Sequence, residues 1–191
     1  MSLILASASP RRAELLRNAG IAFTVEPANV PEEPMPNEPP LQYARRLAGD
    51  KARAVCALHS DSVVLGADTV VVIDEYLLEK PKDNADAVRM LRLLSGRTHQ
   101  VITGVCVVAP TFEQTEAEIT EVCFSPLTEQ EIAGYIAIRE PMDKAGAYAI
   151  QGIASRWVER IDGCYFNVVG LPVARVYRML NKLGIKAGMR S

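Results

Sequence analysis

The chain has 191 residues, of which 49% are apolar and 23% are charged, and its formal net charge is −2. These values predict one large domain or two small lobes with a sizeable core. The slight negative charge argues against a nucleic-acid surface, so any anion should bind at a few placed basic residues. The four cysteines contain no CxxC pair, and we expect reduced core residues in a cytoplasmic protein, without zinc or disulfides.

The start of the chain has no basic region ahead of a long apolar run, so we expect no signal peptide. No stretch approaches the roughly 18 apolar residues that a membrane span requires, and we expect no membrane association.

The first motif is a strand followed by a tight loop and a helix. Leu3–Ala6 predicts a buried strand, Ser9 is a good N-cap, Pro10 suits the first helical position and Gly20 ends the helix. Two hydroxyls and two guanidinium groups therefore gather at the positive end of a helix: Ser7, Ser9, Arg11 and Arg12. This combination favours phosphate binding, because basic residues in a first turn oppose the helix dipole unless an anion is present. The alternative is an ordinary cap with two solvated arginines.

A proline-rich acidic loop precedes the second helix. Residues 27–40 hold six of the twelve prolines together with Glu32, Glu33 and Glu38. A loop of this length inside a compact chain is more often functional than idle. Residues 41–57 carry apolar side chains at helical spacing, and most of the intervening basic residues should form a solvated face. The spacing leaves open whether one of them points into a site: Arg45, Arg46, Lys51 or Arg53.

An apolar, β-branched run at residues 63–73 predicts a strand buried on both faces. It contains one carboxylate, Asp68, and one hydroxyl, Thr69. A buried carboxylate is unfavourable unless it is paired, metal-bound or directed into a cleft. Asp68 is therefore either a functional acid or part of a turn that ends one strand before the next begins.

A hairpin follows this strand, because Asp74 and Glu75 form a turn signal and residues 76–78 are again apolar. Lys80 lies twelve residues after Asp68, so the hairpin can bring the two side by side. The pair is then either a structural ion pair or a site in which Lys80 contacts a substrate phosphate.

The second half of the chain predicts alternating elements. We expect a helix that Asp83 or Asn84 caps and Gly96 ends, strands at 98–109 and 116–124, a helix from the capping box Thr128–Glu131 to about Ile138, a strand at 157–161 and a final helix opened by Leu171 and Pro172. Residues 140–152 are rich in small side chains that let backbone approach a ligand or simply form turns.

Several kinds of chemistry are excluded or disfavoured by missing motifs. The chain contains no GxxxxGK[ST], GxGxxG, GxSxG or HExxH sequence, and its only histidines are His59 and His99. The remaining carboxylates, Lys, Arg, Ser and Gln suit phosphoryl chemistry assisted by a hard cation such as Mg²⁺.

Seven short motifs, in order along nearly the whole chain, resemble the Maf family of nucleoside triphosphate pyrophosphatases. They are Ser7–Arg12, Gly66–Thr69, Glu79–Pro81, Leu94–His99, Asp143–Tyr148, Ile150–Gly152 and Gly170–Pro172. The resemblance implies a single catalytic domain over residues 1–191, of mixed α/β class, with an elongated, strongly bent sheet flanked by helices and two lobes around a cleft. It implies cleavage of a nucleoside triphosphate between the α- and β-phosphates.

The resemblance also assigns site residues. It implies that Asp68 is the proton acceptor. The other polar positions of the family's active site match Ser7, Arg11, Arg12, Glu32, Lys51, Lys80 and Gln151. We expect the basic residues to bind the triphosphate and stabilise the leaving pyrophosphate. Mg²⁺ or Mn²⁺ held by Asp68 and Glu32 would polarise the α-phosphate, which leaves open whether Asp68 serves the water, the metal or both.

Base preference is implied by three positions, Arg11, Thr69 and Gln151, which resemble the dTTP/UTP branch of the family. Gln151 offers both a donor and an acceptor to the O4 and N3–H edge of thymine or uracil. Ala149 stands where this branch usually has glycine.

Two alternatives are a 7-methyl-GTP pyrophosphatase of the same family and a nucleotide-binding regulator of cell division or septum formation. The predicted partner is a nucleoside triphosphate, and a homodimer is a family-level expectation.

Overall fold

The structure is a computed structural model that describes residues 1–188. Its helices and strands alternate along the chain in a mixed α/β arrangement, as predicted. They are β1 Leu3–Leu5, α1 Pro10–Asn18, β2 Thr24–Val25, α2 Pro40–Cys56, β3 Val63–Ile73, β4 Tyr76–Leu78, α3 Asn84–Leu94, β5 Thr98–Ala109, β6 Phe112–Phe124, α4 Glu129–Ala137, β7 Val158–Asp162, α5 Tyr165–Val169 and α6 Val173–Asn181.

The strands form one mixed sheet of seven strands in the order β2-β1-β3-β5-β6-β7, with β4 paired to β3. Strand β1 is parallel to both β2 and β3, whereas β3 with β4 and β6 with β7 are antiparallel pairs. The predicted mixed α/β class with a mixed sheet is therefore confirmed. The chain divides into two compact units, and β3, β5 and β6 contribute residues to both of them.

The first unit comprises residues 1–68, 103–118 and the C-terminal segment from Gly170. Its core includes apolar residues of β1, α2, β3 and β5. Helix α2 lies directly against the two strands at glycines, because a Cβ on Gly66 would overlap the carbonyl oxygen of Ala48 and one on Gly104 would overlap that of Ala44. Glycine in a strand marks such close approach of another backbone, and the contact fixes α2 on β3 two residues before Asp68.

The second unit comprises residues 69–102 and 119–169. Aromatic rings form its centre, with the buried His99, Phe124 and Tyr148 in mutual edge-to-face contact and Trp157 against Tyr135. Such geometries are the preferred arrangement of aromatic pairs. Two of these rings, Tyr148 and Trp157, belong to the segment of residues 140–157, which contains three 3₁₀ turns.

The predicted strand at residues 63–73 is confirmed as β3, and because it runs without interruption the alternative that Asp68 lies in a turn is excluded. Other local predictions are corrected. Strand β6 begins at Phe112 rather than at residue 116, since only two residues connect it to β5. The short helix α5 was not predicted. Only Cys106 of the four free cysteines is fully buried.

The capping predictions are largely confirmed. Asp83 caps α3, and the predicted capping box opens α4. Within residues 1–188, no helix combines the length and apolarity needed to cross a bilayer.

Candidate active site

A buried lysine joins two carboxylates in the first unit. Lys51 Nζ lies 2.6 Å from Asp68 Oδ1 and 2.7 Å from Glu32 Oε1. Lys51 and Asp68 are only 7% and 8% exposed, whereas Glu32 is exposed. The close packing of α2 on β3 explains this arrangement, because Lys51 directly precedes Ala52, whose backbone lies against Gly66. Lys51 is therefore the one basic residue of α2 that turns inward to the acid, and Asp68 is a paired acid.

The proline-rich loop that carries Glu32 is tied to α2. The buried Tyr43 donates its hydroxyl proton to the backbone oxygen of Glu32 at 3.0 Å. Arg46 donates to the backbone oxygen of Glu33 at 3.0 Å and forms an ion pair with Glu38. Of the two adjacent glutamates, Glu32 supplies a carboxylate to the lysine and Glu33 supplies a backbone carbonyl to an arginine. These contacts order a segment that contains no helix or strand.

The start of α1 is organised by Arg12 and Ser7. Arg12 donates from Nη1 to Ser7 Oγ at 3.0 Å and from Nε to the carbonyl oxygen of Gly170 at 2.9 Å. The Ser9 amide donates to Ser7 Oγ at 3.2 Å, and the hydroxyl of Ser9 makes no capping bond. The prediction that Ser9 is the N-cap residue of α1 is therefore confirmed, although its hydroxyl makes no capping hydrogen bond. The first turn contains no acidic residue, so its amides and arginines present positive potential.

Burial and charge act in opposite directions on Asp68. Removal from water raises the pKa of this carboxyl above the ordinary aspartate value, while the nearby Lys51 and Arg12 lower it. Burial also lowers the pKa of the Arg12 guanidinium, partly offset by the negative charge of Asp68. Arginine nevertheless stays protonated in proteins. The result is an acid with an elevated proton affinity beside two fixed cations, which suits a proton acceptor.

The predicted site residues fall into two groups. Ser7, Arg12, Glu32, Lys51 and Asp68 belong to the first unit, and the half-buried Arg11 lies beside Arg12 in α1. They form two sets of contacts, Ser7 with Arg12 and Lys51 with both carboxylates, and the charges of Arg12 and Asp68 influence each other.

Thr69, Lys80 and Gln151 belong to the second unit, where Thr69 is half-buried and the other two are exposed. The predicted hairpin of β3 and β4 is confirmed, with Val71 opposite Leu78. The lysine that pairs with Asp68, however, is Lys51.

The carboxylates of Asp68 and Glu32 fit a hard divalent cation. Both are oxygen donors, and both contact the Lys51 ammonium nitrogen, at 2.6 and 2.7 Å, so the two carboxylates converge on one positive group. No group of three His, Cys, Asp or Glu side chains with metal-binding geometry occurs in residues 1–188. Mg²⁺ commonly uses one or two carboxylates and completes its shell with substrate phosphates and water, so the pair is sufficient for such a site.

The fold and this cluster together define an α/β protein with a site suited to phosphate chemistry. Residues 2–183 match the family described as "Maf-like protein", and the chain belongs to the Maf family. This confirms the family that the seven motifs indicated.

Curated proteins that carry the name dTTP/UTP pyrophosphatase are similar to this chain over nearly its whole length. The protein of Koribacter versatilis is 60% identical over 185 residues, which is 97% of this chain and 96% of that protein. The protein of Geobacter sulfurreducens is 52% identical, covering 95% of this chain and 96% of its own. The protein of Aquifex aeolicus is 46% identical over 98% of each chain.

Proposed function

We propose that this chain is a dTTP/UTP pyrophosphatase, a hydrolase that converts dTTP and UTP to the nucleoside monophosphate and pyrophosphate. The observation that carries the proposal is the Asp68–Lys51–Glu32 cluster, in which the buried Lys51 contacts the buried Asp68 at 2.6 Å and the exposed Glu32 at 2.7 Å. Relatives of that name at 46–60% identity support the substrate class.

Asp68 is the proposed proton acceptor. The oxygen of a water molecule bonds to the α-phosphorus while the bond from that phosphorus to the bridging oxygen breaks, and the water proton passes to Asp68. A carboxyl whose pKa is raised by burial holds this proton better than an exposed aspartate would. Pyrophosphate leaves with the bridging oxygen, which must be stabilised as negative charge develops on it.

The cations of the site bind the triphosphate in this proposal. Arg11, the amides at the start of α1 and Lys80 contribute positive charge, and Arg12 holds the Ser7 hydroxyl at 3.0 Å. Lys51 keeps Asp68 ionised between turnovers, because the adjacent ammonium favours the charged form.

Asp68 and Glu32 are the residues that would hold Mg²⁺ or Mn²⁺ together with the substrate. A bound divalent cation supplies Lewis-acid polarisation of a phosphoryl oxygen and neutralises phosphate charge.

Pyrimidine recognition is assigned to Gln151, with Thr69 and Arg11 as further selectivity residues. The exposed Gln151 amide carries one acceptor and two donor hydrogens. Thymine and uracil present an acceptor (O4) beside a donor (N3–H), whereas cytosine presents a donor and an acceptor in the exchanged positions. Discrimination between them therefore requires a fixed orientation of the Gln151 amide.

We further propose that both units form one catalytic domain, since three strands contribute to each. The four free thiols agree with a reducing, cytoplasmic location.

A panel of triphosphates tests the proposal. The protein is incubated with dTTP, UTP, dCTP, dATP, dGTP and 7-methyl-GTP in the presence of Mg²⁺ or Mn²⁺, and pyrophosphate is measured. We expect release from dTTP and UTP in preference to the others. Release from 7-methyl-GTP alone would assign the chain to the alternative branch, and nucleotide binding without release would favour the regulator.

A further inference from the structure

The proposed base-reading residue Gln151 lies on a tight turn rather than on a strand or helix. The Gly152 amide donates to the carbonyl oxygen of Ala149 at 3.0 Å and closes the turn around Gln151. The Gln151 side chain is exposed. Whatever fixes its direction must therefore act on the backbone of the turn.

Glu140 and Tyr135 hold this turn from behind. Glu140 accepts the Ile153 amide at 3.1 Å through Oε1 and at 3.4 Å through Oε2. The same carboxylate accepts the Tyr135 hydroxyl at 2.9 Å, and the Tyr135 oxygen accepts the Ala149 amide at 3.2 Å. The amides of Ala149 and Ile153, two residues before and two residues after Gln151, therefore both donate to the Tyr135–Glu140 pair.

The carboxylate also occupies the place where residue 152 would carry a side chain. A Cβ on Gly152 would overlap both Oε1 and Cδ of Glu140. Because nothing but the Glu140 carboxylate is that close, glycine at 152 and glutamate at 140 are complementary. The fit leaves Glu140 directly beneath the peptide that follows Gln151.

The pair is itself immobilised. Tyr135 is 1% exposed and packs edge-to-face on Trp157, and burial raises the pKa of its hydroxyl, which stays protonated to donate to Glu140. The backbone oxygen of Glu140 accepts Lys144 Nζ at 2.7 Å. On the N-terminal side, the buried Tyr148 hydroxyl is bonded to His99 Nε2 at 2.8 Å.

We propose that Glu140, oriented by Tyr135, is a positioning residue that fixes Gln151 and thereby determines selectivity for thymine and uracil. This inference rests on the proposed function. The Glu140 carboxylate acts as a fixed hydrogen-bond acceptor for the turn and has no role in the proposed hydrolysis step. Without this carboxylate, the Gln151 amide should sample other directions. Binding of the base should then be weaker, while the rate of the chemical step is preserved.

The test compares Glu140→Ala with Glu140→Gln in steady-state kinetics on dTTP, UTP and dCTP. Glutamine keeps an acceptor oxygen for Ile153 and Tyr135, so it should restore recognition. For Glu140→Ala we expect KM for dTTP to rise about 10-fold with kcat within about 3-fold, because the lost interaction stabilises bound substrate and transition state alike. The ratio of kcat/KM for dTTP to that for dCTP should fall about 10-fold, and Glu140→Gln should recover most of it.

Glu129→Ala is the matched control. It removes an exposed glutamate from the same unit, at the start of α4, where it pairs with Arg92 at 2.7 Å. We expect wild-type kinetics from it. If Glu140→Ala is folded and keeps the wild-type KM and dTTP-to-dCTP ratio, the inference is wrong. A wild-type protein that does not prefer dTTP and UTP would instead refute the proposed function.

A second route does not depend on the stability of Glu140→Ala. Gly152→Ala should displace the carboxylate and produce the same loss of selectivity. In a double-mutant cycle, the combination of both changes should be no worse than either alone, because both remove one contact. Fully additive effects on the dTTP-to-dCTP ratio would contradict the inference.

Discussion

The surroundings of Asp68 and of Gln151 differ in which groups hold each residue in position. Lys51, Asp68 and Glu32 bond to one another through their side chains, and the first two are almost fully buried. Gln151 is exposed, and the backbone amides of Ala149 and Ile153, on either side of it, donate to Tyr135 and Glu140. Proton transfer requires a carboxyl whose pKa is set by burial and fixed charge. Base recognition requires an amide edge that faces the ligand, so rigidity has to come from the turn beneath it.

The largest effect should follow removal of the acid itself. Asp68→Asn keeps the size of the side chain but replaces the carboxylate with an amide that does not accept a proton. The kcat for dTTP should therefore fall by about 10²- to 10⁴-fold. Pyrophosphate release measures the loss, and circular dichroism establishes that the variant is folded. The exposed Asp61→Asn change is the control. Near-normal turnover of a folded Asp68→Asn protein would refute its role as proton acceptor.

Removing Lys51, the cation between the two carboxylates, should lower the free energy of unfolding. Lys51→Met leaves Asp68 without its nearest countercharge in a site that is 8% exposed. Breaking a buried pair from one side costs about 3–5 kcal/mol in the free energy of unfolding. Urea denaturation at neutral pH measures this value.

The exposed Arg53, two residues further along α2, provides the comparison. Arg53→Met should change the free energy of unfolding by less than about 1 kcal/mol, since exposed ion pairs contribute little. Equal losses from Lys51→Met and Arg53→Met would show that burial of the first pair has no energetic consequence.

Behind the Gln151 turn, His99 should make stability depend on pH. Burial lowers the pKa of His99 to about 4 from an ordinary value of 6.5. Between these values the unfolded chain binds the proton and the folded chain does not. The free energy of unfolding should therefore drop by about 3 kcal/mol as pH falls from 6.5 to 4, and this contribution should be constant above 6.5.

His99→Gln should remove that contribution to the pH dependence, as measured by urea denaturation at a series of pH values. The control is His59→Gln, which changes a half-buried histidine, leaves His99 in place and should retain that contribution. An unchanged slope between pH 4 and 6.5 in His99→Gln would exclude His99 as its source.

The smallest effect on stability is expected at Gln151. Its side chain is exposed, so Gln151→Ala should alter the free energy of unfolding by no more than about 0.5 kcal/mol. Thermal denaturation of Gln151→Ala and Lys51→Met side by side compares the stability that each variant loses. A loss as large as that of Lys51→Met would mean that Gln151 supports the fold rather than the ligand.

The sequence predicted most of the elements and the acid, but not the partner of that acid. The β-branched run at 63–73 and its single carboxylate identified Asp68 because a buried charge requires a partner. Spacing favoured Lys80, because a hairpin can bring it near Asp68 in space. The observed partner, Lys51, lies 17 residues before Asp68 and reaches it because α2 packs on β3. Gly66 was the available signal, since glycine inside a buried strand indicates close approach of another backbone.

The support of the Gln151 turn could not be predicted from spacing. Glu140 binds a backbone amide thirteen residues away and a tyrosine on the preceding helix, and neither contact leaves a periodic pattern. Helix α5 was missed for a related reason. It has only five residues, and its Asn167 is fully buried. The burial of this amide is tolerated because it donates to Val101 O and to Thr120 Oγ1, both distant in sequence.

Steady-state kinetics of Asp68→Asn and Gln151→Ala on dTTP test most directly whether the buried cluster performs the chemistry and the exposed turn selects the base. We expect Asp68→Asn to lower kcat with little change in KM. We expect Gln151→Ala to raise KM about 10-fold and to keep kcat within about 3-fold. A Gln151→Ala protein with the kcat loss of Asp68→Asn and an unchanged KM would refute this division of roles.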